Sequence, residues 1–146
     1  MQDIELESGH FRAVGRLLPD MAPQTCGWFL AKLPFEVRVV QAVWSGMAVF
    51  ADLAGAAHDV PFENITSYPA TGSILLYPGN AQGNAGEIYI PYGGNKFCCP
   101  IGQIAGNHFM TLTASMETLR DFGRLVRYGG EQTLHFKLAA QEGTGR

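Results

Sequence analysis

Short apolar runs, each cut off by glycine, proline or a Gly/Asn-rich turn, recur along the chain: VRVVQAVW, MAVFADL, SILLYPG, EIYIPYG, HFMTLT and TLHFKLA. Their β-branched and aromatic residues suit a pleated, half-buried surface, so each reads as a strand. Eighteen glycines and eight prolines spread between them imply many turns, as in an all-β protein. The strongest hairpin signal is VRVVQAVW and MAVFADL around Ser45-Gly46. SILLYPG and EIYIPYG should pair with each other, and IELESGHFRAVGRLLP reads as a strand, a turn at Gly9 and a second strand.

Two segments have helical character instead. Pro23 suits a first helical turn, and Trp28, Phe29, Leu30 and Leu33 follow it on a broad apolar face that Pro34 ends. Ser115 can cap a second helix over 116–127, with Leu119, Phe122, Leu125 and Val126 on one face and Gly129-Gly130 at its end. Residues 54–72 read as a surface loop. The total is about eight strands and two helices, and eight is a number at which an antiparallel sheet closes on itself with side chains filling the interior. The expectation is one domain over 1–140, a closed barrel with two capping helices, followed by a flexible tail at 141–146.

An apolar fraction of 47% against 16% charged residues fits a globular chain of 146 residues with one core. The net charge is −3 and the ten Lys and Arg residues are scattered, so the basic stripe that nucleic-acid binding requires is missing. MQDIELESG is acidic where a secretory signal would be basic and then apolar, and no window has the apolar length of a membrane helix. A cytoplasmic protein with reduced thiols is expected, with neither nucleic acid nor membrane as partner.

APQTCGWFLAKLPF (22–35) resembles the cyclophilin stretch in which Ala-Pro-x-Thr opens the first helix and a Phe plugs the barrel end. TGSILLYPG (71–79) is similar to the glycine-led strand of those proteins, and Leu119 to Gly129 occupies the place of their second helix. GEIYIPYGGNKFCCPIGQIAGNHFMTL and ENITSYPATGSILLYPG are more similar to bacterial cyclophilin-like proteins of unknown function. The likeness covers most of residues 4–139 and implies a cyclophilin-like barrel. Cyclophilin isomerases carry a Phe-His-Arg strand followed by Phe-x-x-Gln-Gly-Gly-Asp. Here the corresponding region is VRVVQAVWSGMAVFADL, with Arg38 the only arginine nearby. Rotation about a prolyl amide faces a barrier of roughly 18–20 kcal/mol and needs a donor placed on the amide. The resemblance therefore implies the barrel without the isomerase constellation.

Among individual residues, Asn107-His108 stands at the start of a strand. His108 is the candidate acid or base, because its charge changes near neutrality; the alternative is a turn asparagine and a strand histidine bonded to a carbonyl. Glu63 and Asn64 in the long loop, and Glu87 at a strand start, are candidate partners, since a carboxylate facing His108 would form an acid/base pair. Tyr77, Tyr92 and Phe97, with Trp44, Tyr68 and Tyr89, could line an apolar pocket with hydroxyl tips or serve as core. Cys98-Cys99, with Lys96 and His58 or His108, lacks the spacing of a zinc site and reads as inert buried thiols, so neither metal nor cofactor is expected.

Three functions remain open on the sequence. The favoured one is a barrel binding a small molecule or short peptide in a surface cleft, using Arg38, Glu63, Asn64, Tyr77, Glu87, Tyr92, Phe97 and Asn107. The second is an enzyme, either a residual prolyl isomerase or a small-molecule isomerase or hydrolase, using His108. The third is a homodimeric interaction subunit pairing through an exposed strand edge or the hairpin at Ser45-Gly46. Fold alone does not choose among them.

Overall fold

The computed structural model describes residues 2–140; the tail at 141–146 lies outside the described residues. Its elements are β1 (Asp3–Ser8), β2 (Phe11–Leu17), α1 (Pro23–Lys32), β3 (Phe35–Gln41), β4 (Gly46–Asp52), β5 (Ile65–Thr66), β6 (Ser73–Tyr77), β7 (Glu87–Asn95), β8 (Cys98–Cys99), β9 (Gly102–Gln103), β10 (Gly106–Leu112), α2 (Met116–Gly129) and β11 (Gln132–Leu138). Eight of the strands form a closed antiparallel barrel in the order β1-β2-β10-β6-β7-β4-β3-β11, with β11 returning to β1. The seam between β2 and β10 joins Gly15 to Leu112 and Leu17 to Met110.

Every expected strand and both helices are present, but two details differ. The β3–β4 reversal is wider than a Ser45-Gly46 turn: β3 ends at Gln41 and residues 42–45 form the connection. Gln41 closes that connection by donating from Nε2 to the carbonyls of Ala42 and Gly46, at 3.1 and 2.9 Å. Ser45 is drawn away to clamp Cys98, its Oγ donating to the carbonyl (3.1 Å) and accepting from the amide (3.0 Å). The two-residue strands β5, β8 and β9 are additions. β8 and β9 form a small separate hairpin, and β5 adds to the edge of β10.

The interior is filled by one face of each strand, including Ile4, Leu6, Val39, Val49, Ile74, Leu76, Ile88, Ile90, Leu134 and Phe136. At one end Phe29 of α1 is wholly buried with its ring 5.2–5.3 Å from those of Phe35, Phe109 and Phe136. At the other end Phe122 of α2 stacks on Phe11 at 4.1 Å. The α2 start is set by Ser115, whose Oγ accepts from the Thr118 amide at 3.1 Å. A second, smaller cluster of Ala48, Leu75, Tyr77, Tyr89 and Phe97 lies on the outer face of the barrel wall.

Candidate functional site

Alternation along the strands sorts the side chains of this wall onto its two faces. Ile88 and Ile90 point inward, so Glu87 and Tyr89 point outward. Register then builds two outer rows. One runs Asp52, Glu87, Tyr77 across β4, β7 and β6, and the next runs Phe50, Tyr89, Leu75, His108 from β4 to β10. The outward Tyr89 is nonetheless buried, because the excursion after β7 folds back over it. Phe97 from that excursion places its ring 4.4 Å from Tyr89 and 5.8 Å from Tyr77. Its amide donates to the Ser67 carbonyl at 2.8 Å, which fixes the cover in place.

Beside this cover lies a cleft of about 250 Å³, lined by residues 42–45, Phe50, Asp52, the loop from Asn80 to Glu87, and residues 98–101. The loop is wound by two asparagines. Asn80 Oδ1 accepts from the amides of Gln82 and Asn84, at 2.9 and 3.2 Å. Asn84 Oδ1 accepts from the Gly86 amide at 2.9 Å while its Nδ2 donates to Glu87 Oε1 at 3.1 Å. Gly86 sits at φ 90°, and a Cβ there would lie 2.9 Å from the Pro78 carbonyl oxygen, so the turn back into β7 requires glycine.

Glu87 is the unusual group of the cleft. It stands directly across from Asp52 in the β4–β7 ladder, a like-charge pairing that destabilises a sheet. Burial raises its carboxyl to about 7, the Asn84 amide opposes that shift, and the Asp52 charge adds to it. Tyr89 is likewise pushed upward by burial, and its hydroxyl donates to Asn95 Oδ1 at 2.8 Å. Val43, Trp44 and Ile101 line the same cleft and are exposed, Trp44 by 59%.

The other candidates divide among three places. Asn107, Glu63, Asn64 and His108 come together at the start of β10. Asn107 faces inward, fully buried. Its Oδ1 accepts from the Glu63 amide at 3.1 Å, and its Nδ2 donates to Thr25 Oγ1 and the Pro61 carbonyl at 3.0 and 2.9 Å. Glu63 Oε2 accepts from the amide and hydroxyl of Thr25 at 2.7 and 2.8 Å, so the carboxylate holds the first turn of α1. Asn64, at φ 46°, donates from Nδ2 to the His108 carbonyl at 2.8 Å.

His108 faces the opposite way from Asn107. Its Nε2 lies 3.0 Å from Thr111 Oγ1, and burial lowers its pKa below the ordinary imidazole value. Glu87 is on β7 and His108 on β10, with β6 between them. The nearest carboxylate contacts of the asparagine cluster go to Thr25 and not to the histidine. Arg38 is exposed on β3, 3.4 Å from Glu131. Tyr92 belongs to the interior cluster, with its hydroxyl donating to Gln41 Oε1 at 2.6 Å. Tyr77 and Phe97 form the aromatic floor beside the cleft, and Tyr77 Oη accepts from Asn80 Nδ2 at 2.9 Å.

Asp52, Asn80 and Asn84 were not among the expected site residues, and Ser45 and Thr25 were expected only as a turn residue and as part of a helix-opening motif. The two asparagines had a local signal, since N-A-Q-G-N is a run of turn formers whose side chains bond to amides two residues on. Asp52 had none, and nothing local marked the contacts that Ser45 and Thr25 make, because each of the three acts on a partner distant in the chain. The three cysteines are unpaired, and Cys26 is raised by burial. Among the described residues no three His, Cys, Asp or Glu side chains gather to hold a metal ion, and no helix is long and apolar enough to cross a membrane.

The barrel is cyclophilin-like. A cyclophilin type peptidyl-prolyl cis-trans isomerase from Cryptosporidium parvum, solved in the presence of the dipeptide Ala-Pro, superposes with a TM-score of 0.59 at 13% identity, covering 96% of this chain and all of that one. A hypothetical protein from Archaeoglobus fulgidus gives 0.61 at 16% identity, covering 94% and 95%. McbB, in complex with tryptophan, gives 0.73 at 13% identity over 97% of this chain, which spans about half (46%) of McbB. No curated protein matches the sequence. A family model described as protein of unknown function (DUF3830) matches residues 4–138, and the chain belongs to that family.

Proposed function

We propose that the protein binds a small molecule in the cleft between the 42–45 connection, the 80–87 loop and residues 98–101. The observation that carries this reading is a cleft whose rim is apolar and exposed while its wall holds a buried carboxyl group poised near neutrality. Apolar lining with a few convergent polar groups is the usual character of a ligand site. Its volume of about 250 Å³ lies just under the common range of roughly 300–1,000 Å³ for such sites, which favours a small molecule over a peptide. That a structural neighbour, McbB, is described in complex with tryptophan lends the fold-level analogy some weight. The motif departure around Arg38 supports a binding protein without prolyl isomerase activity. Turnover centred on His108 and Thr111 is the rival reading, since both face the outer surface in one hydrogen-bonded pair.

Amide chemical-shift mapping against a small-molecule fragment set tests the proposal. Ligands should perturb residues 42–52, 80–87 and 98–101 together, and Trp44→Ala should weaken them while changing stability by no more than about 0.5 kcal/mol, as for an exposed residue. Ligands that instead gather at His108, or acceleration of a proline-peptide isomerisation that His108→Ala abolishes, would replace this reading with the enzymatic one.

A further inference from the structure

We infer that the cleft is selective for a small organic cation, an amine or amidinium on an apolar body, held between the carboxylates of Asp52 and Glu87 with Trp44 and Phe50 beside it. This rests on the cleft being the ligand site. The first observation is one-sided charge. Asp52 and Glu87 both line the cleft, and among the described residues no Lys, Arg or His does so. A cleft of one sign concentrates ligands of the other. An anionic ligand would meet two carboxylates and no counter-charge there.

The second observation concerns Glu87 itself. Only 9% of it is exposed, and among the described residues its one hydrogen bond is the Asn84 amide on Oε1, which leaves Oε2 without a partner. That oxygen is not sealed from solvent, since among the described residues the one buried side-chain polar atom without a partner is Ser8 Oγ, so Oε2 is open to a donor that enters the cleft. Placing it across from Asp52, whose Oδ1 accepts from the Ala54 amide at 2.6 Å, breaks a pairing rule whenever both groups are ionised. Departures of that kind concentrate at functional positions. A cation between the two groups removes the repulsion and supplies the donor. Trp44 and Phe50 line the same cleft, and aromatic side chains suit both an ammonium and an apolar body.

The proton balance follows from the groups around Glu87. Asp52 faces it from β4, Tyr89 lies along β7, Tyr77 stands across on β6 with its hydroxyl taken by Asn80, and Cys98 and Cys99 lie across the cleft. None supplies positive charge. A bound cation favours the ionised form, so Glu87 gives up its proton on binding whenever the pH lies below its free value of about 7.

Isothermal titration calorimetry of the full chain at millimolar phenethylamine, phenethyl alcohol and hydrocinnamate, with amide shifts to locate each, separates the possibilities. The amine should bind at the cleft at least roughly tenfold more tightly than the alcohol, and hydrocinnamate should not bind. In two buffers of different ionisation enthalpy the amine should release up to one proton per site below neutrality, and its affinity should rise with pH through that range. Glu87→Gln should abolish the proton release and most of the preference; Asp52→Asn should reduce the preference and diminish the release without abolishing it, because burial and not the Asp52 charge is the larger cause of the raised Glu87. Alcohol or acid binding the cleft as well as the amine overturns the inference and leaves the binding site standing. If none of the three perturbs the cleft amides, the site and the inference fall together.

Discussion

Glu87 is the residue whose chemistry is most at odds with its surroundings. Folding raises its carboxyl from the ordinary 4.5 to about 7, so between those values the native state holds a proton that the unfolded chain releases. Stability therefore falls as pH rises through that window and levels off above it. The shift corresponds to about 3 kcal/mol at full ionisation. Glu87→Gln keeps an oxygen for the Asn84 amide and cannot ionise, so it should raise the urea midpoint at a pH above 7 by the equivalent of about 1–3 kcal/mol and change it little near pH 4.5. A variant equally stabilised at both ends would mean that Glu87 is not the ionising group. The sequence marked Glu87 as a polar group opening a strand, but its pairing with Asp52 comes from the register of two strands more than thirty residues apart, which local pattern does not encode.

Elements were the most readable level. Pro23 and the Ser115 cap fix where α1 and α2 begin, and Gly130, at φ 90°, lets α2 end. Leu119, Phe122 and Val126 are buried on the expected face of α2, with Leu125 partly buried against the core, and Gly123 shares that face. A Cβ on Gly123 would lie 2.2 Å from the Tyr92 ring, which is itself pinned to Gln41. Gly123→Ala should therefore destabilise the fold by about 1–3 kcal/mol through overpacking, despite a helix propensity gain of up to about 1 kcal/mol. In α1, Gly27 is exposed with open space around it. Gly27→Ala should stabilise by up to about 1 kcal/mol, and thermal unfolding of the two variants distinguishes a packed helix face from a free one. The hairpin connection at 42–45 and the short β8–β9 pair were illegible, because Ser45 and Cys98 define them by bonding across fifty-three residues.

At the level of the whole molecule, closure depends on β2 meeting β10. Gly15 on β2 leaves room for Met110, whose Sδ would lie 2.2 Å from a Cβ at that position. Gly15→Ala should cost about 1–3 kcal/mol in the native background, and much less where Met110→Ala has already opened the space. The two changes should thus fail to add by at least about 1 kcal/mol in denaturant titrations; simple additivity would mean that the seam does not pack as described. By itself the sequence determined the eight barrel strands and the two helices, since alternation, caps and turn residues act within a few positions of one another. Only the tertiary structure decided which side chains share a surface. It sent Asn107 inward and His108 outward from adjacent positions, bound Glu63 to α1, and set Glu87 beside Asp52 in a cleft with neither partner near it in the chain. The physical reason is that a strand turns each neighbour to the opposite face, so a site on a barrel wall is assembled by register between strands and not by adjacency along one.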